Sequence, residues 1–176
     1  MSQLFGTPRR LGYVVRDIQG AMRYWTEVMR IGPFYYLEHL PLSAFEYRGQ
    51  PGEIDLSVAL AYSGGLQVKL IQQRNACDSA YRDFLAGGNE GLHHIGYLTD
   101  HFERDLRLAG EVGMKVEQCG KVGITGGAFA SFSTSGHPGT ALELLALTSE
   151  NRDVFQMIQN EAGHWDGSGP IRHLDL

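Results

Sequence analysis

The stretch Gly91-Leu92-His93-His94-Ile95-Gly96-Tyr97-Leu98 repeats one written near the start of the chain, Arg9-Arg10-Leu11-Gly12-Tyr13-Val14-Val15. Aligned, Arg10 falls on His94, Gly12 on Gly96 and Tyr13 on Tyr97. A strand written twice predicts two related halves, because internal repetition constrains the whole fold. A pocket between such halves is lined where the copies differ, at Arg10 and His94.

Outward from the first copy, Leu11, Tyr13 and Val15 alternate onto one strand face and Arg10, Gly12 and Val14 onto the other. Asp17 then caps a helix whose apolar Ile18, Met22, Trp25 and Met29 recur at helical spacing, and Ile31-Gly32-Pro33 ends it. Extended segments are predicted at 34–37, 45–47, 54–62 and 66–71, the last two joined by a turn at Ser63-Gly64-Gly65. A short helix from Ser79 closes at Gly87-Gly88, and the period restarts. A strand over 94–99, a helix carrying Phe102, Leu106 and Ala109, and strands at 115–118, 128–133 and 140–147 follow. Gly136-His137-Pro138-Gly139 makes the last turn, and Gly123 to Gly127 reads as a loop.

The predicted fold class is α+β: two βαβββ modules, about 8–73 and 92–147, forming a curved mixed sheet around a shared cleft within one domain, 8–147. Residues 148–176 add a helix, capped by Ser149 with Val154, Phe155 and Ile158 apolar, and a tail in which Trp165 docks onto the body.

With 176 residues, 43% hydrophobic and 20% charged, the chain has the composition of a soluble globular domain. A net charge of −5 without a basic run argues against nucleic acid and anionic membranes as partners. No signal-peptide pattern or membrane-length apolar run is present, and Cys77 and Cys119 form no motif. The expectation is a cytoplasmic protein with a small-molecule substrate.

The closing strands of the halves also correspond, Val68-Lys69-Leu70-Ile71 to Leu142-Glu143-Leu144-Leu145. Alternation places Arg10, Lys69, His94 and Glu143 on the faces opposite the helices, where they converge if the two concave faces meet. His93 takes the opposite face, as a packed or capping histidine. Tyr13 and Tyr97 point at the helices as core.

Three motifs, Leu11-Gly12-Tyr13-Val14-Val15-Arg16-Asp17-Ile18, Gly91-Leu92-His93-His94-Ile95 and His137-Pro138-Gly139-Thr140-Ala141-Leu142-Glu143-Leu144, resemble the vicinal-oxygen-chelate superfamily of glyoxalases, bleomycin-resistance proteins and dioxygenases, closest to its methylmalonyl-CoA epimerase-like branch. The resemblance implies the fold and often a homodimer. It also implies a divalent metal on the first and last strands of each half, the positions held here by Arg10, Lys69, His94 and Glu143. Protonated Arg10 and Lys69 offer no lone pair, so no metal cofactor is expected, the residual set being Gln67, His94 and Glu143. The epimerase branch also implies a second carboxylate near Ser57-Val58. None stands there, and Glu53 and Asp55 are the nearest candidates.

Two readings of the cleft remain side by side. Arg10, Lys69 and Glu143 form either a buried ion network or a metal substitute, in which Arg10, Lys69 and Gln67 bind substrate and stabilise an enolate while Glu143 or His94 moves the proton. Three functions follow: an isomerase or lyase acting beside a carbonyl of an anionic or acyl substrate, a metal-free binding or resistance protein for aromatic or drug-like compounds, or a metal-dependent epimerase-like enzyme. Phe34, Tyr35, Tyr36, Phe45 and Tyr47 supply core and a candidate aromatic wall. His137 is a candidate for the rim.

Overall fold

The computed structural model of the chain describes residues 2–133 and 141–174. From the N-terminus, β1 (Arg10–Val14) leads through α1 (Ile18–Glu27) to β2 (Phe34–Leu37), the hairpin β3 (Leu42–Tyr47) and β4 (Gln50–Pro51), then β5 (Leu56–Ser63) and β6 (Leu66–Gln73). The connector holds α2 (Ala80–Ala86). The second half runs β7 (Gly91–Thr99), α3 (Phe102–Glu111), β8 (Val116–Val122), β9 (Gly127–Phe132) and β10 (Ala141–Ala146). The chain closes with α4 (Ser149–Gly163) and β11 (Ile171–His173).

The described strands form one curved sheet in the order β11-β2-β5-β6-β1-β7-β10-β9-β8-β3-β4. β1 pairs antiparallel with β7, and each first strand pairs parallel with the last strand of its own half. That pattern is a pseudo-twofold, and it makes one mixed α+β sheet of the two modules. The expectation of βαβββ order holds, with one change. The segment around Phe45 is a strand, but it belongs to an inserted hairpin that crosses over and pairs with β8 of the other half. Phe45 and Tyr47 alternate inward there, into the core shared with Phe129.

Apolar side chains from alternate strand positions fill both faces. Tyr13 sets its ring edge-on to Trp25 of α1, and Ile18 and Met22 pack with Ala59, Ala61, Val68 and Leu70 beneath that helix. Ala130, Phe132 and Leu144 pack under α3 with Tyr97. On the concave face Val14, Leu56, Val58, Leu60 and Leu145 form the largest cluster. Asp17 caps α1, its side chain accepting from the Gly20 N–H.

α4 roofs that cluster. Ile158 is fully buried in it, with Val154 and Phe155 packed alongside. The cap is Thr148, one residue earlier than expected: its hydroxyl accepts from the Asn151 N–H while the Asn151 side chain bonds back to the Thr148 N–H, a reciprocal pair that Ser149 would not form at that spacing. In the tail, the Trp165 indole N–H donates to the Ser168 carbonyl at 2.7 Å, and a Cβ on Gly32 would meet the Trp165 ring at 2.9 Å. Residues 171–173 add to the sheet parallel to β2, a strand for which the sequence offered no signal. The turn expected at Gly136-His137-Pro138-Gly139 lies outside the described residues.

Candidate functional site

Register places the polar residues of the concave face in two lateral rows. Across β5, β6, β1, β7, β10, β9 and β8 runs Tyr62, Gln67, Arg10, Gly96, Glu143, Ser131, Gln118, each directly opposite the next. Beside it, Lys69, Gly12 and His94 face one another across β6, β1 and β7. Each row has a glycine at its centre, and the glycines are the repeat's own symmetry mates. A Cβ on Gly12 would lie 2.0 Å from His94 Nε2, and one on Gly96 would lie 2.9 Å from Arg10 Cβ. Each copy of the motif thus leaves room for the other copy's polar side chain.

The rows bring Arg10, Lys69, His94 and Glu143 onto one atom. Glu143 Oε1 has Arg10 Nη1 at 3.3 Å, Lys69 Nζ at 3.5 Å and His94 Nε2 at 3.5 Å. These residues are 3%, 8%, 0% and, for Glu143, 1% exposed. Arg10 Nε donates to Gln67 Oε1 at 2.6 Å, and Gln67 Nε2 donates to the Tyr62 hydroxyl at 3.0 Å. Among the described residues, Glu143 Oε2 is buried with no hydrogen-bond partner, as are His94 Nε2, Gln118 Nε2 and Ser131 Oγ.

Burial by itself pushes the Glu143 carboxyl up, but Lys69, His94 and Arg10 together outweigh it and hold the group down at about 2. Burial pushes His94 down to about 3, so the imidazole is neutral near pH 7 and faces Glu143 as a dipole while Arg10 and Lys69 supply charge. Burial also lowers Lys69, partly opposed by Glu143. A charged carboxylate selects the His94 tautomer with hydrogen on Nε2, which leaves its Nδ1 to accept from His93 Nδ1 at 3.1 Å.

That contact corrects the expected direction of His93. β7 carries one extra residue between its Gly12 and Tyr13 partners, and this bulge turns His93 toward Tyr81 and Phe84 of α2, beside His94. It is a packed histidine, as expected, on an unexpected side.

A cavity of about 90 Å³ lies over the rows. Arg10, Lys69, Glu143 and Tyr81 line its floor. Leu37, Leu40, Leu42, Leu56, Val58, Leu60, Val122, Phe129 and Leu145 form its walls. Val154, Phe155, Leu174 and the edge residues Glu150 and Asn151 close it. The Phe155 ring sits 5.2 Å from the Arg10 guanidinium carbon. His94 and Gln67 stand behind the floor as supports. The five aromatics 34–36, 45 and 47 are not in this wall, whose surface is mainly aliphatic. They divide between the core clusters, Phe34 and Tyr36 beneath α1 and the other three on the concave side.

Tyr81 was missed, because a two-turn helix has too little periodicity to fix its face. Burial, then the charge of Glu143, raises its phenol well above the ordinary value, so it stays protonated. Among the described residues the only other carboxylate at the cavity is Glu150, at its edge. Val58 faces the cavity, Ser57 turns to the other face and donates to the Glu38 carbonyl, and Asp55 pairs with His39 at 2.9 Å outside. Gly123 reaches the rim, where the loop through Thr125 is tied to Glu150 by the Thr125 N–H and hydroxyl.

These donors do not fit a divalent ion. Arg10 and Lys69 point nitrogens with no free lone pair at the carboxylate a metal would use, and the Gln67 oxygen is committed to Arg10. Among the described residues no group of three His, Cys, Asp or Glu side chains could hold one.

Residues 9–132 match the family described as the glyoxalase/bleomycin resistance protein/dioxygenase superfamily. Among solved structures, methylmalonyl-CoA epimerase from Mycobacterium tuberculosis superposes with a TM-score of 0.59 at 14% identity, over 87% of this chain and 95% of that one. A hypothetical protein from Bacillus halodurans C-125 gives 0.58 at 17% identity, over 81% and 95%. Streptomyces coelicolor methylmalonyl-CoA epimerase in complex with 2-nitronate-propionyl-CoA gives 0.55 at 18% identity, over 81% and 95%. At such identities the likeness is one of fold. No curated protein matches the sequence.

Proposed function

The chain belongs to the glyoxalase/bleomycin resistance protein/dioxygenase superfamily, and from that membership we propose a small-molecule enzyme of isomerase or lyase type that moves a proton beside a substrate carbonyl. The observation that carries this is the asymmetry of Glu143: among the described residues one oxygen accepts from Arg10 and Lys69 with His94 Nε2 at 3.5 Å, and the other is buried without a partner. In its resting state the carboxylate is a weak base. A carbonyl oxygen seated on Arg10 and Lys69 draws those cations away, so the carboxyl rises toward the range of a working base as substrate arrives.

Glu143 then takes the proton from the carbon next to the carbonyl. The C–H electrons move into the new C–C double bond, and the carbonyl pair moves to oxygen. Arg10 and Lys69 hold the resulting enolate in a site shielded from water. Glu143 returns the proton to a neighbouring atom, or a leaving group departs. One carboxylate serves one face of the substrate, which favours a proton shift or elimination over two-base inversion. His94 positions Glu143.

A second reading rests on the aliphatic wall and the α4 roof: a metal-free protein that sequesters an apolar compound. Deuterium uptake from D2O into a panel of 2-oxo acids and acyl thioesters, followed by NMR, decides between them. Exchange that Glu143→Gln abolishes supports the enzyme; saturable binding with no exchange for any compound supports sequestration.

A cytoplasmic homodimer belongs to the same proposal. The free Cys77 and Cys119 and the exposed Tyr24, Val28 and Met29 on and just after α1 support it, and light scattering tests the dimer. No helix among the described residues is long and apolar enough to cross a membrane.

A further inference from the structure

The donors on the cavity floor are incompletely used. Among the described residues, Arg10 donates through Nε and Nη1 only, leaving Nη2 without an acceptor, and the Lys69 ammonium meets a single oxygen at 3.5 Å. With Lys69 protonated, two cations face one carboxylate, since His94 is neutral. Buried charge without a counter-charge is costly, and burial already lowers the proton affinity of Lys69. A ligand bringing one negative charge and two adjacent acceptors would satisfy both groups at once.

The remaining surface narrows the choice. Away from the floor the lining is apolar except for Asn151 and Glu150, and Glu150 is acidic. A phosphate-bearing handle leaving past that edge meets a like charge and the α4 roof. An aliphatic or aromatic body meets leucines.

We propose that the cavity takes a free 2-oxo carboxylic acid with a short apolar body, rather than a coenzyme A thioester. Its carboxylate and keto oxygens sit on Arg10 and Lys69, and the C3–H bond faces the free side of Glu143. Loss of that proton to Glu143 gives the enolate of the acid, its oxygen held by Arg10 and Lys69, and return of the proton from Glu143 to carbon balances the step. The inference deepens the proton-transfer reading of the same site.

Its test reads binding and exchange separately. Calorimetry compares 4-methyl-2-oxopentanoate and phenylpyruvate with their methyl esters and with propionyl-CoA, on the wild-type protein. The acids are expected to bind about tenfold or more tightly than the esters, because charge-assisted hydrogen bonds are at stake. Lys69→Met should remove that preference, whereas Glu143→Gln should keep it. Acid binding without deuterium exchange supports this inference and counts against the enzyme reading. Exchange or binding confined to the thioester, esters that match the acids, or no binding of any acid each overturns it.

Discussion

Gly12 lies so close beneath His94 that a Cβ there would fall 2.0 Å from the ring Nε2. The ring is fully buried and flanked by His93 and Tyr81, which limits its retreat. Gly12→Ala is therefore expected to destabilise by about 3 kcal/mol, at the upper end for overpacking. Adding His94→Ala should recover part of that loss. Urea denaturation of the two single variants and the double variant measures the coupling, and simple additivity would contradict it.

Glu143→Gln leaves Arg10 and Lys69 buried beside a neutral amide. The expected cost is about 3–5 kcal/mol. Replacing Arg10, Lys69 and Glu143 together by methionine should return stability to near wild type while abolishing ligand binding. A triple variant that retains binding would show that the ions serve structure alone.

Stability should fall as pH drops below neutrality. Unfolded His94 takes a proton near 6.5 and the folded residue only near 3, so between those values the unfolded chain holds more protons. Glu143, near 4.5 unfolded and about 2 folded, adds the same sign over its own window. Each contributes a slope of about 1.4 kcal/mol per pH unit within its window. Urea midpoints measured from neutral pH to just above the Glu143 window isolate the histidines, because burial lowers His93 as well. His94→Gln should flatten the curve by about one proton's worth, and an unchanged slope would mean that His94 is not buried neutral.

Phe155→Ala removes the ring over Arg10 and opens the roof of the cavity. Ligand association should speed up and dissociation should speed up more, for a net loss of affinity of about tenfold. Stopped-flow binding separates the two rates. An unchanged association rate would show that entry does not pass α4.

Trp165→Ala should expose the segment around Gly167 and Gly169 to protease. Its ring rests on Gly32, next to the β2 edge that receives the final strand. Limited proteolysis followed by mass spectrometry tests this, with cleavage expected there before any cut in the sheet. Unchanged protection would assign the tail's anchorage to β11 instead.

Much of the fold was legible because it rests on two periods, helical and alternating, written twice. The same alternation shows why Arg10, Lys69, His94 and Glu143, distant in sequence, meet on one face. What stayed hidden depended on contacts between elements. The β7 bulge moves His93 without leaving a sequence mark, α2 is too short to reveal where Tyr81 points, and nothing local says that the hairpin at Leu42–Tyr47 pairs with β8. The repeat shows a small residue two places from each polar one, but the reciprocal fit of Gly12 with His94 and Gly96 with Arg10 follows only from the antiparallel pairing of β1 with β7.

That hairpin bears on how the molecule assembles. Leu42 pairs with Val122 and Tyr47 with Gln118, so the outer edge of the second half is completed by a piece of the first. These contacts span nearly half the chain and can close only once β8 has been made, and pairing of such long range slows folding. A nascent chain released before residue 122 would carry a hairpin whose β3 edge is open on the side that β8 covers, the kind of exposed edge that recruits other copies. The interval between synthesis of the hairpin and of its partner is thus when this protein is most open to aggregation.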